Sequence, residues 1–586
     1  MILQALHDYY QRKQRSDDPK DRLPAYGLEE KEIPFIIEID GEGRFVNLAD
    51  TRTGDGKKKT AQRFLVPQGV KKTSGVAANL LWDTAEYVLG VDTRGNPDRI
   101  VQQHSAFRSR LDELPESAQS DPGIVAVRNF LDRRDIAPLE NHPAWNDVLA
   151  TNPTLSFRLH GDVELICQRS AVAMVAVGTK NADGESPSGI CLVTGAIAPI
   201  ERLHPAIKGV KDKPGSPAQK NIVSFNCRAF ESYGKTEQQG ANAPVGKPAV
   251  FAYTTALNHL LSKGSRQRIQ IGDASTVFWA EQPHDLETMA ADLFGEPPKD
   301  QPDRGTDALK ALYQSVESGN FAIGEADTRF HVLGLAPNAA RISIRFWETA
   351  PAYELARRLK RHFDDIRIAK ADYEAEHLSL FRLLTSVAVQ GKADNIPPNL
   401  GGDIVRAILE DLPYPTTLLN AAVQRCRAEQ KVTYPRAAAL KAWLNRSIRR
   451  DNRNSSTPEK EFDVMLDPQN TDAAYRMGRL FAVLEKIQEE ANPGINATIR
   501  DRYYGAASSA PATVFPLLLK LATHHIGKLD EKGRKMLYRA FSDNTPDNYI
   551  GQVLNQVDEI PRQLRLPEQG RFALGYYHQR QAFFAK

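Results

Sequence analysis

Residues 329–370 read "RFHVLGLAPNAARISIRFWETAPAYELARRLKRHFDDIRIAK". The first half is a hairpin: two apolar-rich runs meet around Pro337 to Ala340. In its second strand Ile342, Ile344 and Phe346 take one face, and Arg341, Ser343, Arg345 and Trp347 take the other. From Pro351 onward the period lengthens to that of a helix. Helical periodicity then dominates to the C-terminus, broken by "NIPPNLGGD" (395–403), "NRNSSTPEKE" (452–461) and "GAASSAPATVFP" (505–516). The chain is therefore expected to be α+β, with a mixed α/β N-terminal part containing hairpins and an all-α helical-bundle C-terminal part. The expected divisions are 1–370, a basic helical region 371–464, and a helical bundle 465–586.

The N-terminal part shows the same alternation elsewhere. "IPFIIEIDGEGRFVNLAD" (33–50) is a strand, a Gly-containing turn and a second strand. "TRTGDGKKKTAQRFLVPQG" (51–69) is a basic connection, and a helix is expected from about Gly75 to Leu89. Residues 155–199 read as strand. The Gly/Pro-rich passage 204–221 has no period. "NAPVGKPAVFAYTTALNHLL" (242–261) returns to helix. A linker is expected around Pro283 to Thr306.

With 586 residues the chain is too long for one core, so about two to four domains are expected. A net charge of +3 excludes a uniformly basic coat, so any nucleic-acid surface must be local. The four cysteines, Cys167, Cys191, Cys227 and Cys426, form no C-x-x-C pair and argue for a reducing compartment. The opening "MILQALHDYYQRKQR" is not a signal peptide, and no run approaches the roughly 20 apolar residues that span a bilayer. A cytoplasmic protein without membrane contact is expected.

Catalytic patterns are weak. "AFESYGKT" has Gly234, Lys235 and Thr236, but Ala229 stands where a P-loop needs its first Gly; "TRTGDGKKK" fails at Thr51 and Lys58. His284-Asp285 and His524-His525 have no completing ligands nearby in sequence. No catalytic residue, cofactor or metal is expected.

Binding chemistry is concentrated in four places. In "VKKTSGVAANLLWDTAEYVLG" (70–90), Lys71, Lys72, Thr73 and Ser74 precede the expected helix, whose N-terminal N–H groups favour a phosphate; Asn79, one turn in, has an amide suited to a base edge. An ordinary capped helix with solvated lysines is the alternative. "NIVSFNCRAFESYGKTEQQGANAPV" (221–245) is dense in hydrogen-bonding side chains, among them Asn226, Tyr233, Gln238 and Asn242. Arg341 and Arg345 interleave with Trp347, which suits either nucleic acid or a subunit contact. In the helical half, arginines outnumber acids along 425–453, including Arg446, Arg449 and Arg450. Arg476, Arg479, Arg500 and Arg502 follow.

The stretches 71–90, 223–245, 331–347, 475–491 and 500–521 together resemble the large subunit of the type I-C CRISPR interference complex, Cascade. Their order and spacing cover nearly the whole chain. The resemblance implies a non-catalytic subunit in a ribonucleoprotein with guide RNA and with backbone and foot subunits. It implies recognition of a short protospacer-adjacent motif in double-stranded DNA, help in opening the duplex, and recruitment of a separate nuclease-helicase. On this reading Lys71, Lys72, Thr73, Ser74 and Asn79 meet the motif. Asn226, Tyr233, Gln238 and Asn242 form a groove loop or wedge. Arg341, Arg345 and Trp347 meet RNA or a neighbouring subunit. Arg446, Arg449, Arg450, Arg476, Arg479, Arg500 and Arg502 hold the displaced strand. It also implies that the segment from Met465 is made separately as a small subunit. A metal-dependent nuclease of the same pathway and a purely structural scaffold are the rival readings.

Overall fold

The computed structural model describes residues 2–584 except 55–58, 71, 73–74, 180–186, 211–219, 226–227, 236–239, 272, 299, 302, 319–327, 339–340, 539–548, 556 and 558. The chain forms two compact units. The first comprises Leu3–Pro205 with Val223–Ala256, and the second Ala206–Ile222 with Leu257–Lys586. Strands and helices mix in the N-terminal region and helices dominate the C-terminal region, so the fold class is α+β.

The first unit contains strands β1 (Leu28–Glu32), β2 (Phe35–Ile39), β3 (Phe45–Asp50), β4 (Arg63–Pro67), β5 (Trp82–Thr84), β6 (Thr154–Leu159), β7 (Ser188–Ile190) and β8 (Ile197–Pro199). β2 and β3 make the expected hairpin. Gly43 sits in its turn at φ 79°, and a Cβ there would lie 2.5 Å from the Ala126 carbonyl oxygen, so only glycine fits. β6 runs parallel to β2 and antiparallel to β5, giving the order β3-β2-β6-β5. β1 and β4 form a separate antiparallel ribbon. Phe35, Ile37, Leu155 and Phe157 are fully buried beneath Phe107 and Phe130, which come from helices Pro97–Asp112 and Pro122–Arg133. Both helices begin with proline after a side-chain cap: Asn96 accepts from the Arg99 N–H, and Asp121 from the Gly123 N–H.

Three local expectations are corrected. No helix starts at Gly75: the described residues up to Leu81 are non-helical, β5 follows, and only Ala85–Leu89 is helical. Ala78, Leu80, Leu81 and Trp82 are all buried, and Trp82 pairs with Ser156 of β6. A chain buried on every side has no helical face to show, and strand pairing overrides the local spacing. The strand-like run 155–199 is interrupted by helix Ser170–Thr179. The linker around Pro283 to Thr306 instead contains helix Leu286–Phe294 and the start of helix Arg304–Ser318.

The second unit contains β9 (Arg268–Ile271), β10 (Ala274–Ala280), β11 (Arg329–Asn338) and β12 (Arg341–Pro351), an antiparallel sheet in the order β12-β11-β10-β9. β11 and β12 are the expected hairpin. Its register shifts between Gly334 and Leu335, so the simple alternation fails there and Ile344 is 45% exposed. Helix Ala352–Ile366 follows directly. One hydrophobic core runs from Phe278 and Phe346 through Leu359 and Leu440 to Phe572. The divisions expected at 370/371 and 464/465 both fall inside this unit. The Tyr577 hydroxyl donates to the Ala369 carbonyl (2.8 Å), and the Phe462 and Tyr475 rings lie 5.4 Å apart.

Helices Ala473–Ala491 and Leu566–Ala582 pack backbone to backbone. A Cβ on Gly478 would lie 1.9 Å from the Phe572 carbonyl oxygen, and one on Gly575 would lie 2.1 Å from that of Tyr475. Glycine gives up helix propensity here in exchange for contact area. Gly478→Ala should therefore cost at least the ~1–3 kcal/mol of an overpacked core and lower the melting temperature of the full chain. Gly505→Ala is the control: its added methyl meets nothing within 4 Å in helix Ile499–Ala507, so it should leave stability equal or higher.

Candidate nucleic-acid interface

The first candidate loop, residues 67–84, is tied at its base by two buried polar side chains. Asp83, 2% exposed, takes the Lys72 ammonium at 2.6 Å on both oxygens and also accepts from the backbone N–H groups of Asn79 (2.9 Å) and Thr84 (2.8 Å). The Asn79 side-chain oxygen accepts from the Val70 N–H at 2.9 Å. Glu29 accepts from the Gly69 N–H, and the Trp82 indole donates to the Pro67 carbonyl. The Lys72 ammonium also lies 3.7 Å from the centre of the Tyr87 ring, a cation–π contact.

This geometry corrects the assignment of Asn79 and places Lys72 in an ion pair within the protein. Asn79 is 5% exposed and its amide oxygen closes the loop, so it is not presented to a base edge. Lys72 is paired with a buried carboxylate, so its charge is largely satisfied within the protein. Both residues hold the loop in place. Lys71, Thr73 and Ser74 lie outside the described residues; Gly75, next to them, is exposed.

The second candidate is a turn at Ser232–Lys235. The Lys235 N–H donates to the Ser232 carbonyl at 3.1 Å, with Tyr233 at φ 56° and Gly234 at φ 68°. Two positive φ values at the centre define a type I′ turn, which favours Asn, Asp or Gly at its first central position. An aromatic side chain there costs about 1–2 kcal/mol. Nothing is recovered by burial, because Tyr233 is 94% exposed. The turn is braced from the other side: the Asn242 amide donates to the Ser232 carbonyl (3.0 Å) and to its hydroxyl (2.8 Å). Asn242 is thus a brace, and Tyr233 is what the turn displays. Phe230, 42% exposed, stands nearby in sequence. Asn226 and Gln238 lie outside the described residues.

On β12, Arg345 pairs with Asp273 at 2.5 Å. Trp347 is half-buried, stacked on His331 at 5.3 Å and close to Trp279 at 5.5 Å. Burial pushes the His331 pKa down to about 4, so this stack is neutral. Arg341 bridges to Asn221 along the backbone. The three residues share a strand, but Trp347 is committed to an internal aromatic cluster.

The arginines of the helical half divide sharply. Arg476 and Arg479 are 2% and 3% exposed. Arg476 donates to the carbonyls of Asn470 (2.6 Å), Val553 (3.2 Å) and Asn555; Arg479 donates to Pro468 (3.2 Å) and to the Gln579 side chain (3.1 Å). Arg446, 4% exposed, pairs with Asp365 at 2.7 Å and donates to the carbonyls of Ala407 and Leu412, both at 2.8 Å. Arg476 and Arg479 are internal clamps, which corrects their assignment to a displaced strand; Arg446 is a clamp through its Nε and Nη1, with its Nη2 left unpartnered. The guanidinium's five donors suit the satisfaction of several buried carbonyls at once. Arg500 faces the fully buried Glu485 (3.7 Å) and Asp501 (3.5 Å). Arg449 is partly exposed while paired with Asp365 and Glu461. Arg450 and Arg502 are exposed.

Among the described residues no group of three or more His, Cys, Asp or Glu side chains is placed to hold a metal ion, and no helix is long and apolar enough to cross a membrane. His284 accepts from the Leu286 N–H at a helix start, and His525 meets the Asn492 amide.

Removing the loop brace gives a direct check. Asn79→Ala leaves the Val70 N–H without its acceptor, at a cost of about 1–3 kcal/mol. Hydrogen exchange in the peptide spanning 67–84 should then speed up about tenfold or more in the protein alone. Unchanged protection would return Asn79 to a role at the surface.

Comparison with curated proteins gives no significant match. The family model described as CRISPR-associated protein (Cas_Csd1) matches residues 6–584, nearly the full length that folds into the two units above. The chain therefore belongs to the Cas_Csd1 family of CRISPR-associated proteins.

Proposed function

We propose that this chain is the non-catalytic large subunit of a type I-C CRISPR RNA-guided interference complex. It recognises a protospacer-adjacent motif in double-stranded DNA, helps to open the duplex, steadies the resulting R-loop and recruits a nuclease-helicase. Its partners are the guide RNA, the backbone and foot subunits, and the target DNA, and it acts in the cytoplasm. Family membership supports a place in a CRISPR system. The observation that carries the finer reading is the braced turn that holds Tyr233 94% exposed at a positive φ. A strained, solvent-facing aromatic that earns nothing from packing is the kind of feature that function retains. An aromatic of this kind stacks on an unpaired base of any sequence, as a wedge between separating strands requires. The loop 67–84 lies in the same unit and contributes a pinned platform whose exposed edge includes Gly75 and is flanked by Lys71, Thr73 and Ser74 in the sequence.

The test is Tyr233→Ala in the assembled complex. Loss of one stacked base should weaken binding to a fully paired target by about 1–3 kcal/mol, roughly 5- to 150-fold. A target already unpaired beside the motif should recover most of that loss. Equal loss on both targets, or none on either, would refute the wedge. Adding magnesium or manganese to the same labelled duplex separates the rivals: cleavage would identify a nuclease, and motif-independent binding would identify a scaffold.

A further inference from the structure

Arg446 has one set of donors left over. Its Nε and Nη1 are satisfied, but Nη2 is buried and has no hydrogen-bond partner. Leaving a buried charged donor unpaired is costly, so an acceptor is expected there. Arg446 lines a cavity of about 60 Å³, together with Arg361, Arg449, Arg450, Arg453 and Asp411. Four of these arginines follow at spacings of three and four along helix Tyr434–Asn452 and its C-cap, and so share one face. The cavity is larger than a single water needs.

The charges around it do not cancel. Asp365 is shared by Arg446 and Arg449, Glu461 also pairs with Arg449, Asp411 pairs with Arg361, and Asp451 with Arg450. Five guanidinium groups thus meet four carboxylates. The remaining positive charge belongs to the exposed Arg453, which has no ion pair among the described residues. The last carbonyls of the helix oppose an anion here, so the arginines must supply the attraction.

We infer that this pocket binds a phosphate group. Guanidinium groups from one face of helix Tyr434–Asn452, with Arg361 from helix Ala352–Ile366, offer more donors than a planar carboxylate can accept and suit an anion with three or more acceptor oxygens. Nη2 of Arg446 supplies the buried donor, and Arg450 and Arg453 supply donors at the mouth. The phosphate comes either from a nucleic-acid backbone or from free inorganic phosphate. The inference rests on this geometry alone and not on the proposed recognition of a DNA motif.

The experiment uses the full chain. Sodium phosphate replaces sodium chloride at constant ionic strength, and the melting temperature is followed. The wild type should melt higher in phosphate. Arg450→Ala with Arg453→Ala changes only exposed side chains and should lose the response, with affinity falling about tenfold for each charged donor removed. A second arm measures binding of single-stranded oligothymidylate. If the source is a nucleic-acid backbone, the double variant binds it more weakly, inorganic phosphate competes, and the salt dependence flattens by about one to two phosphates. If the source is free phosphate, oligothymidylate binding is unchanged while the phosphate response is lost. A wild type that melts identically in phosphate and chloride, or a double variant that responds as the wild type does, would overturn the site. Either result would leave the Tyr233 reading untouched, since Tyr233 belongs to the other unit.

Discussion

Asp365 is the constraint on which the second unit's charge arrangement depends. It is 2% exposed, yet its carboxylate is shared by Arg446 and Arg449, and its backbone carbonyl accepts from Lys441 at 3.0 Å. Burial pushes the Lys441 pKa down to about 8, a sign of how dry this place is. Burying a carboxylate is costly, and pairing with well hydrogen-bonded partners offsets that cost. Arg446 meets most of that condition by clamping the carbonyls of Ala407 and Leu412 and by lying over the Tyr414 ring, 4.3 Å from its centre. Its Nη2 is buried without a hydrogen-bond partner, and Arg446 is among the residues that line the neighbouring cavity.

The first unit repeats the device at another scale. Asp83 is equally buried, and Lys72 and two backbone N–H groups converge on it. In both units a buried aspartate spends nearby basic side chains on holding structure, so sequence charge overstates the charge offered to a ligand. A net charge of +3 on 586 residues is consistent with a protein whose binding is local.

The parts of the fold set by period were legible in the sequence. Both hairpins and the change to helix after Pro351 follow from alternation and from the 3.6-residue repeat. The loop after β4 was not, because Ala78, Leu80 and Leu81 are buried ahead of a strand whose Trp82 pairs with Ser156 of β6, more than 70 positions away. The arginines were misjudged for the same reason. Arg476 bonds to Val553 and Asn555, and Arg446 to Asp365, and no local pattern announces partners so distant. The Tyr233 turn left only half a signal: Gly234 suits a positive φ, whereas the positive φ of the tyrosine itself is visible only in the backbone.

Family membership makes the chain a CRISPR-associated protein, and contact between the braced Tyr233 turn and a duplex being opened is the proposal that a measurement must test. The most direct measurement puts a photo-crosslinking phenylalanine analogue at position 233 of the subunit in the assembled complex and irradiates it on a target duplex carrying the motif. The account predicts a crosslink to the nucleotides immediately beside the motif, formed only when the motif is present. A crosslink to the guide RNA or to another protein subunit, or one that forms regardless of the motif, would contradict it.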